Sequence, residues 1–214
     1  MNEYIGNNEF LNYIISGNRK MSSQHIASLL YEKKGVEDIY EQVIKRALYT
    51  VGEMWKKGQL SVATEHLASA IVECILNEIY FSIISKNRIN KTVVATCVQN
   101  EFHQIGVKMV ADVFEMHGWN AHLLGADTPT KDLVDFISKN KPDVMAVSMS
   151  ISTHIQELEN LLNVVNKRFP DLQILIGGQA FIHGSGDITD RYDNITYIPD
   201  LYSLEKFIKN YSSQ

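Results

Sequence analysis

The feature that most constrains this chain is a change of hydrophobic period near residue 86. Before it, apolar residues recur at three- and four-residue spacing in FLNYIISG, IASLLYEK, VEDIYEQVIKRALYTVGEMWKKG and LSVATEHLASAIVECILNEIYFSIIS. That is the period of amphipathic helices. Gly17, Gly35 and Gly58 read as helix stops, and Ser22 and Ser61 stand where N-caps are expected. Residues 1–86 should therefore form a bundle of three or four antiparallel helices with short loops. After the polar stretch SKNRINK, short apolar runs alternate with amphipathic segments. TVVATCV, AHLLGAD, DVMAVSMS, QILIGG and ITYIPD read as strands; helices are expected at about 105–116, 130–139 and 153–168, with a last one from Leu201. Apolar strands between helices predict a parallel sheet covered on both faces over 91–214.

Composition removes several classes of function. The 214 residues are 45% hydrophobic and 21% charged, with only 4 Pro, so disorder and low complexity are excluded. The net charge is -5, with 20 basic against 25 acidic residues and no basic tract; direct nucleic-acid binding is not expected. Cys74 and Cys97 each sit in an apolar run and read as buried thiols rather than a disulfide framework. The N-terminus has no signal-peptide pattern, and the uninterrupted apolar stretches fall short of a membrane span. The expected location is the reducing cytoplasm.

Open parallel sheets bind ligands beyond the carboxyl ends of their strands. Four loops fall there: QNEFHQIG, LGADTP, SMSIST and GGQA. In the first, Glu101, Phe102, His103, Gln104, Ile105 and Gly106 lie where a strand hands over to a helix. A neutral imidazole is a good transition-metal ligand, and it usually gives its other N–H to a carboxylate; Glu101 is two residues away. Gly106 leaves room for a bulky ligand. The bland alternative is a loop histidine capping a helix, and the segment alone leaves both open. One His and one Glu do not close a metal site, so a metal here would have to arrive held by its own ring.

Glu101, His103 and Gly106 match the D/E-x-H-x-x-G signature, and at this point the chain resembles the cobalamin-binding domains. Ser148-Met149-Ser150 resembles the S-x-L region of that family, with Ser150 where Leu is usual. Gly177-Gly178 resembles its glycine pair, and Leu124 to Pro129, containing Asp127, its intervening loop. The motifs span about 92–185. The resemblance implies a Rossmann-like, flavodoxin-like five-stranded domain that binds the corrinoid base-off and His-on. His103 would be the lower cobalt ligand and Glu101 its orienting partner. Ser148, Ser150, Ser152, Gly177 and Gly178 would line the slot for the displaced nucleotide tail. Asp127 would bond the amide edge of the corrin, or act as a turn residue before Pro129.

In the helical half, Trp55, nine residues, then Glu65-His66 resemble the W-x9-EH motif of light-sensing, CarH-like adenosylcobalamin repressors. The resemblance implies that the bundle caps the upper face of the cofactor. Trp55 and Glu65 would cover the adenosyl group, and His66 would become an upper cobalt ligand after illumination. For Trp55 and Glu65, core packing and a favourable helix-dipole contact are the bland readings. That family carries an N-terminal MerR-type DNA-binding domain, which the first 20 or so residues here do not supply. The expectation is a stand-alone sensor or an excised domain that acts through a homo-oligomer or a protein partner such as a transcription regulator, with no catalysis of its own.

The rival expectation is a corrinoid methyl carrier, an enzyme component loaded with methylcobalamin; hydroxocobalamin is a further form either protein would accept. A third is a domain that has lost its cofactor, or binds another tetrapyrrole, and serves as an anti-repressor. His25, His117, His122 and His183 read as surface or packing residues, and His154 as one within reach of the tail.

Overall fold

The computed structural model describes residues 5–182 and 186–211; His183 lies outside them. The chain divides into two compact units, Met1–Ile83 and Ile84–Gln214.

The first unit is helical: α1 (Ile5–Ile15), α2 (Arg19–Tyr31), α3 (Val36–Asp38), a π-helical stretch Ile39–Lys45, α4 (Arg46–Lys56) and α5 (Val62–Ile83). α3, the π stretch and α4 follow one another without a break. α1 packs on α4 and α5, and α2 on α5. Phe10, Ile14, Ile26, Tyr40, Ile44 and Leu76 are among the side chains removed from water. Gly17 and Gly58 follow α1 and α4 in the left-handed conformation that ends a helix. The bond from Asn18 N–H back to Tyr13 O closes the first of these ends.

Two stop and cap expectations are corrected. Gly35 has φ -58° and is the N-cap of α3; the left-handed residue after α2 is Lys33. Ser22 lies inside α2, where its hydroxyl donates to Asn18 O, and the cap is Asn18, whose Oδ1 accepts from Met21 N–H. The hydrophobic period locates the helix but not its first residue, and Asn caps as well as Ser. Ser61 does cap α5, accepting from Thr64 N–H at 3.1 Å.

α5 is long and apolar enough to cross a membrane by length and composition. The expectation concerned unbroken apolar runs, and Glu65, Glu73 and Glu78 do interrupt this helix. Ala68, Ile71, Val72, Ile75, Leu76 and Ile79 on α5 are buried, as in the core helix of a bundle.

The second unit is β1 (Thr92–Cys97), α6 (Ile105–Met116), β2 (Asn120–Gly125), α7 (Thr130–Asn140), β3 (Val144–Ser148), α8 (Ile155–Arg168), β4 (Gln173–Gly177), β5 (Ile195–Tyr197) and α9 (Leu201–Tyr211). The strands form one parallel sheet in the order β2-β1-β3-β4-β5, the flavodoxin-like order whose switch point lies between β1 and β3. Side chains alternate across the sheet. Val94, Met145, Val147, Ile174 and Ile176 join the core with α7 and α8; α6 packs on β1, β2 and α9. Cys97 pairs in register with Ser148, and Ser148 with Gly177, so three strands finish on one line.

The polar segment after residue 84 is fastened to the α6–β2 corner. Ser85 N–H donates to Glu115 O, Ile89 N–H to Gly118 O, and Arg88 Nη1 to Trp119 O at 2.8 Å. Arg88 also pairs with the buried Glu115 carboxylate.

Candidate cofactor site

The loop after β1 sends Glu101 inward and His103 outward. Glu101 is 0% exposed. Its Oε1 accepts from His103 N–H at 3.0 Å and meets His103 Nδ1 at 2.5 Å. Its Oε2 accepts from the backbone N–H groups of Ser150 at 2.8 Å and Ile151 at 2.9 Å. Burial pushes this carboxyl up, but the bonds from the His103 ring and from the His103, Ile151 and Ser150 amides outweigh it and hold it down at about 2. Glu101 is therefore a fixed anion, and it holds the proton of its neighbour's imidazole on Nδ1. The lone pair then lies on Nε2, the atom a metal would use. The His103 side chain is 55% exposed. The cap position of α6 is Gln104, so His103 is not a helix cap.

Cys97, buried at the end of β1, supports the same loop: its thiol donates to His103 O at 3.6 Å. Burial first, and the nearby Glu101 second, push this thiol up to about 12, so it keeps its proton.

The neighbouring loops bring the remaining residues to this edge. Ser148 ends β3, and a Cβ placed on Gly106 would meet only its Oγ, at 3.7 Å. Small residues thus leave open space beside the start of α6. Gly178 is obligatory: its φ is +115°, and a Cβ there would come within 2.3 Å of Met149 O. Gly177 ends β4 as the register partner of Ser148. Ser150 contributes its backbone N–H to Glu101, and Ser152 opens an exposed single turn before α8. Phe102 is 68% exposed beside His103. Ile105 begins α6, and Gln104 Oε1 accepts from Ala126 N–H at 3.3 Å. Asp127 Oδ1 accepts from Asn100 N–H at 2.8 Å.

Three contacts escaped the sequence reading. His154 brings Nδ1 within 3.4 Å of Glu101 Oε2, so it meets the buried carboxylate. Asn100 takes a left-handed φ of +68° and donates from Nδ2 to Glu157 Oε1 at 3.2 Å. Ile151 supplies an amide to Glu101. The readiness of Asn for this conformation was the one available signal.

In the helical unit, Trp55 lies in the last turns of α4 and is 48% exposed, and Glu65 and His66 lie in the first two turns of α5. Glu65 Oε1 accepts from Ser69 Oγ at 2.9 Å, and its Oε2 lies 3.6 Å from His66 Nε2. The His66 side chain is 74% exposed. The turn thus carries an exposed indole on one helix and a Glu-His pair on the next.

A ring-held metal fits the donor set at His103, because one imidazole with an orienting carboxylate leaves the other coordination positions to the ring. The space at Gly106 and Ser148 suits a group entering between strand ends. The comparisons with known proteins agree. Residues 91–186 match a B12 binding domain family, and residues 7–80 match a second family of the same description. The HTH-type transcriptional repressor CarH of Myxococcus xanthus is 28% identical over 143 residues. That match covers 66% of this chain and 47% of the repressor, so the chain spans less than half the length of that relative. Dimethylamine corrinoid protein 3 of Methanosarcina acetivorans is 20% identical over 146 residues, covering 66% of this chain and 68% of that protein. The structure of the monomethylamine corrinoid protein of Methanosarcina barkeri shares the fold, with a TM-score of 0.80 at 13% identity over 93% of this chain and 94% of that one. Two B12 binding domain matches that together span well over half of the sequence, on a corrinoid-protein fold, make this chain a member of the cobalamin-binding domain proteins.

Proposed function

We propose that this chain is a light-responsive regulatory module that binds adenosylcobalamin base-off, with His103 as the lower cobalt ligand. The observation that carries the reading is the His103–Glu101 pair: a solvent-facing imidazole whose Nδ1–H is held by a buried, ionised carboxylate. The bound cofactor supplies a cobalt–carbon bond that light cleaves. The chain's own residues do the rest. Glu101 keeps the ring proton on Nδ1 and so keeps the lone pair on Nε2. Gly106 leaves room for the nucleotide tail beside Ser148, Gly177 and Gly178 border it with backbone, and Ser148, Ser150 and Ser152 offer it hydroxyl partners.

The similarity to the repressor CarH and the W-x9-EH spacing support the upper-face roles. Trp55 and Glu65 shield the adenosyl group, and His66 is an upper ligand after illumination. The output is a change of oligomeric state or of contact with a cytoplasmic partner such as a transcription regulator, and the chain catalyses nothing itself. The test is to record absorption spectra and size-exclusion profiles of the adenosylcobalamin-loaded protein before and after green light. A dark spectrum shifted from that of free cofactor, then a change of both spectrum and elution on illumination, is expected. An unshifted dark spectrum overturns cofactor binding; a light-insensitive complex overturns the sensing role.

A second reading, a corrinoid methyl carrier, is favoured by the similarity to dimethylamine corrinoid protein 3, which extends over about equal shares of both chains. Turnover of methylcobalamin with a methyltransferase partner would establish it.

A further inference from the structure

Four non-glycine residues among those described have positive φ: Lys33, Asn100, Asp127 and Lys141. Two of them meet at the cofactor edge and hold each other. Asn100 N–H donates to Asp127 Oδ1 at 2.8 Å, and Asp127 N–H donates to Glu101 O at 2.9 Å. The pair of bonds clasps residues 100 and 101 to the loop after β2. A third bond, from Ala126 N–H to Gln104 Oε1, ties the same loop beyond His103.

Backbone strain persists where its surroundings over-determine it. Here both strained residues flank the carboxylate that sets the His103 tautomer. Asp127 lacks the geometry of an ordinary turn aspartate, whose side chain bonds its own backbone two residues on; its Oδ1 instead crosses to an amide 27 positions earlier.

We propose that Asp127 is a positioning residue for His103. Its carboxylate and its amide fix the backbone at residues 100–101, and so aim Glu101 at the ring, without touching the cofactor. The role as a ligand-positioning group rests on the cobalamin reading above; the effect on the ring itself does not.

The test uses three variants of the full chain labelled with 15N-histidine: Asp127→Ala, Asp127→Gly and Asp127→Asn. Glycine accepts the positive φ of +46° without strain, so it removes the acceptor alone. Asparagine keeps an acceptor oxygen and tolerates the conformation. The first readout is the 15N spectrum of the cofactor-free protein, with the His103 signal assigned from His103→Ala. The second is titration with hydroxocobalamin, followed by reduction and electron paramagnetic resonance, where an axial 15N-imidazole splits the cobalt lines into doublets.

Both the Ala and the Gly variant should lose the pure Nδ1–H tautomer and bind hydroxocobalamin at least about tenfold more weakly. The Asn variant should restore the tautomer and bring affinity to within about threefold of the parent. An unchanged tautomer in the Ala and Gly variants overturns the proposal; if affinity falls nonetheless, Asp127 contacts the cofactor directly. An Asn variant that behaves like Ala also overturns it. If the parent protein fails to bind hydroxocobalamin at all, the cobalamin reading falls, and the cofactor-free spectra still decide whether Asp127 sets the ring.

Discussion

Glu101 concentrates more consequence than any other side chain in the second unit. Its carboxyl lies near 2 in the folded protein against an ordinary 4.5, so folding is favoured whenever it is ionised. The sign follows from the direction: the contribution is present above about pH 4.5 and is lost as the pH falls from there toward 2. Its size is on the order of 3 kcal/mol. Denaturant unfolding of the cofactor-free protein between pH 6 and pH 2 should show that loss, and Glu101→Gln should flatten this part of the profile and lower stability at neutral pH. A second expectation concerns the ligand itself. His103→Ala should lower the stability of the cofactor-free protein by about 1–3 kcal/mol, because the buried Glu101 carboxylate loses the hydrogen bond from the ring. It should abolish the shifted dark spectrum of bound adenosylcobalamin. The contact between Glu101 and His103 was legible because they lie two positions apart in one loop. The contacts of Glu101 with His154 and the Ile151 amide, and of Asn100 with Glu157, were not, because they form only when loops 50 to 57 residues apart are brought together by the sheet register.

At the scale of elements, the two site glycines near Met149 and Ser148 should respond in opposite ways. Gly178→Ala forces a Cβ toward Met149 O at 2.3 Å and a strained φ, so it should destabilise the fold by about 1–3 kcal/mol. Gly106→Ala meets nothing closer than 3.7 Å at the start of a helix and should hold or slightly raise the thermal midpoint. Gly106→Leu should also leave the cofactor-free fold in place while blocking cobalamin binding, as a titration would show. If Gly106→Leu binds normally, the tail does not enter there. Strands and helices were legible from their periods because each alternation reports burial directly. Helix ends were less so: Asn18 and Lys33 perform duties assigned to Ser22 and Gly35, since several residue types satisfy the same cap geometry. The edge strand β2 shows the limit of the period, since its exposed positions, Asn120 and Leu123, lie three apart where central β3 is buried throughout.

For the whole molecule, cofactor and fold should be linked. Only the native state binds, so cobalamin at about 100 times its dissociation constant should add roughly 2.7 kcal/mol of stability, visible as a raised thermal midpoint in the dark. Illumination of His66→Ala should yield a product whose dark recovery differs from that of the parent; identical recovery removes His66 from the upper-ligand role. One further feature bears on the chain as an evolving object. The π-helical stretch Ile39–Lys45 carries surplus length between two α-helical segments, held with Glu41 and Lys45 paired at 2.8 Å. Loss of Gln42 would let that stretch tighten to ordinary helix while the flanking turns kept their phase. The same one-residue loss in the middle of α5 would rotate every later position by about 100° and turn its apolar stripe away from its partners. Relatives that differ by a single residue in this half should therefore carry the difference between positions 39 and 45.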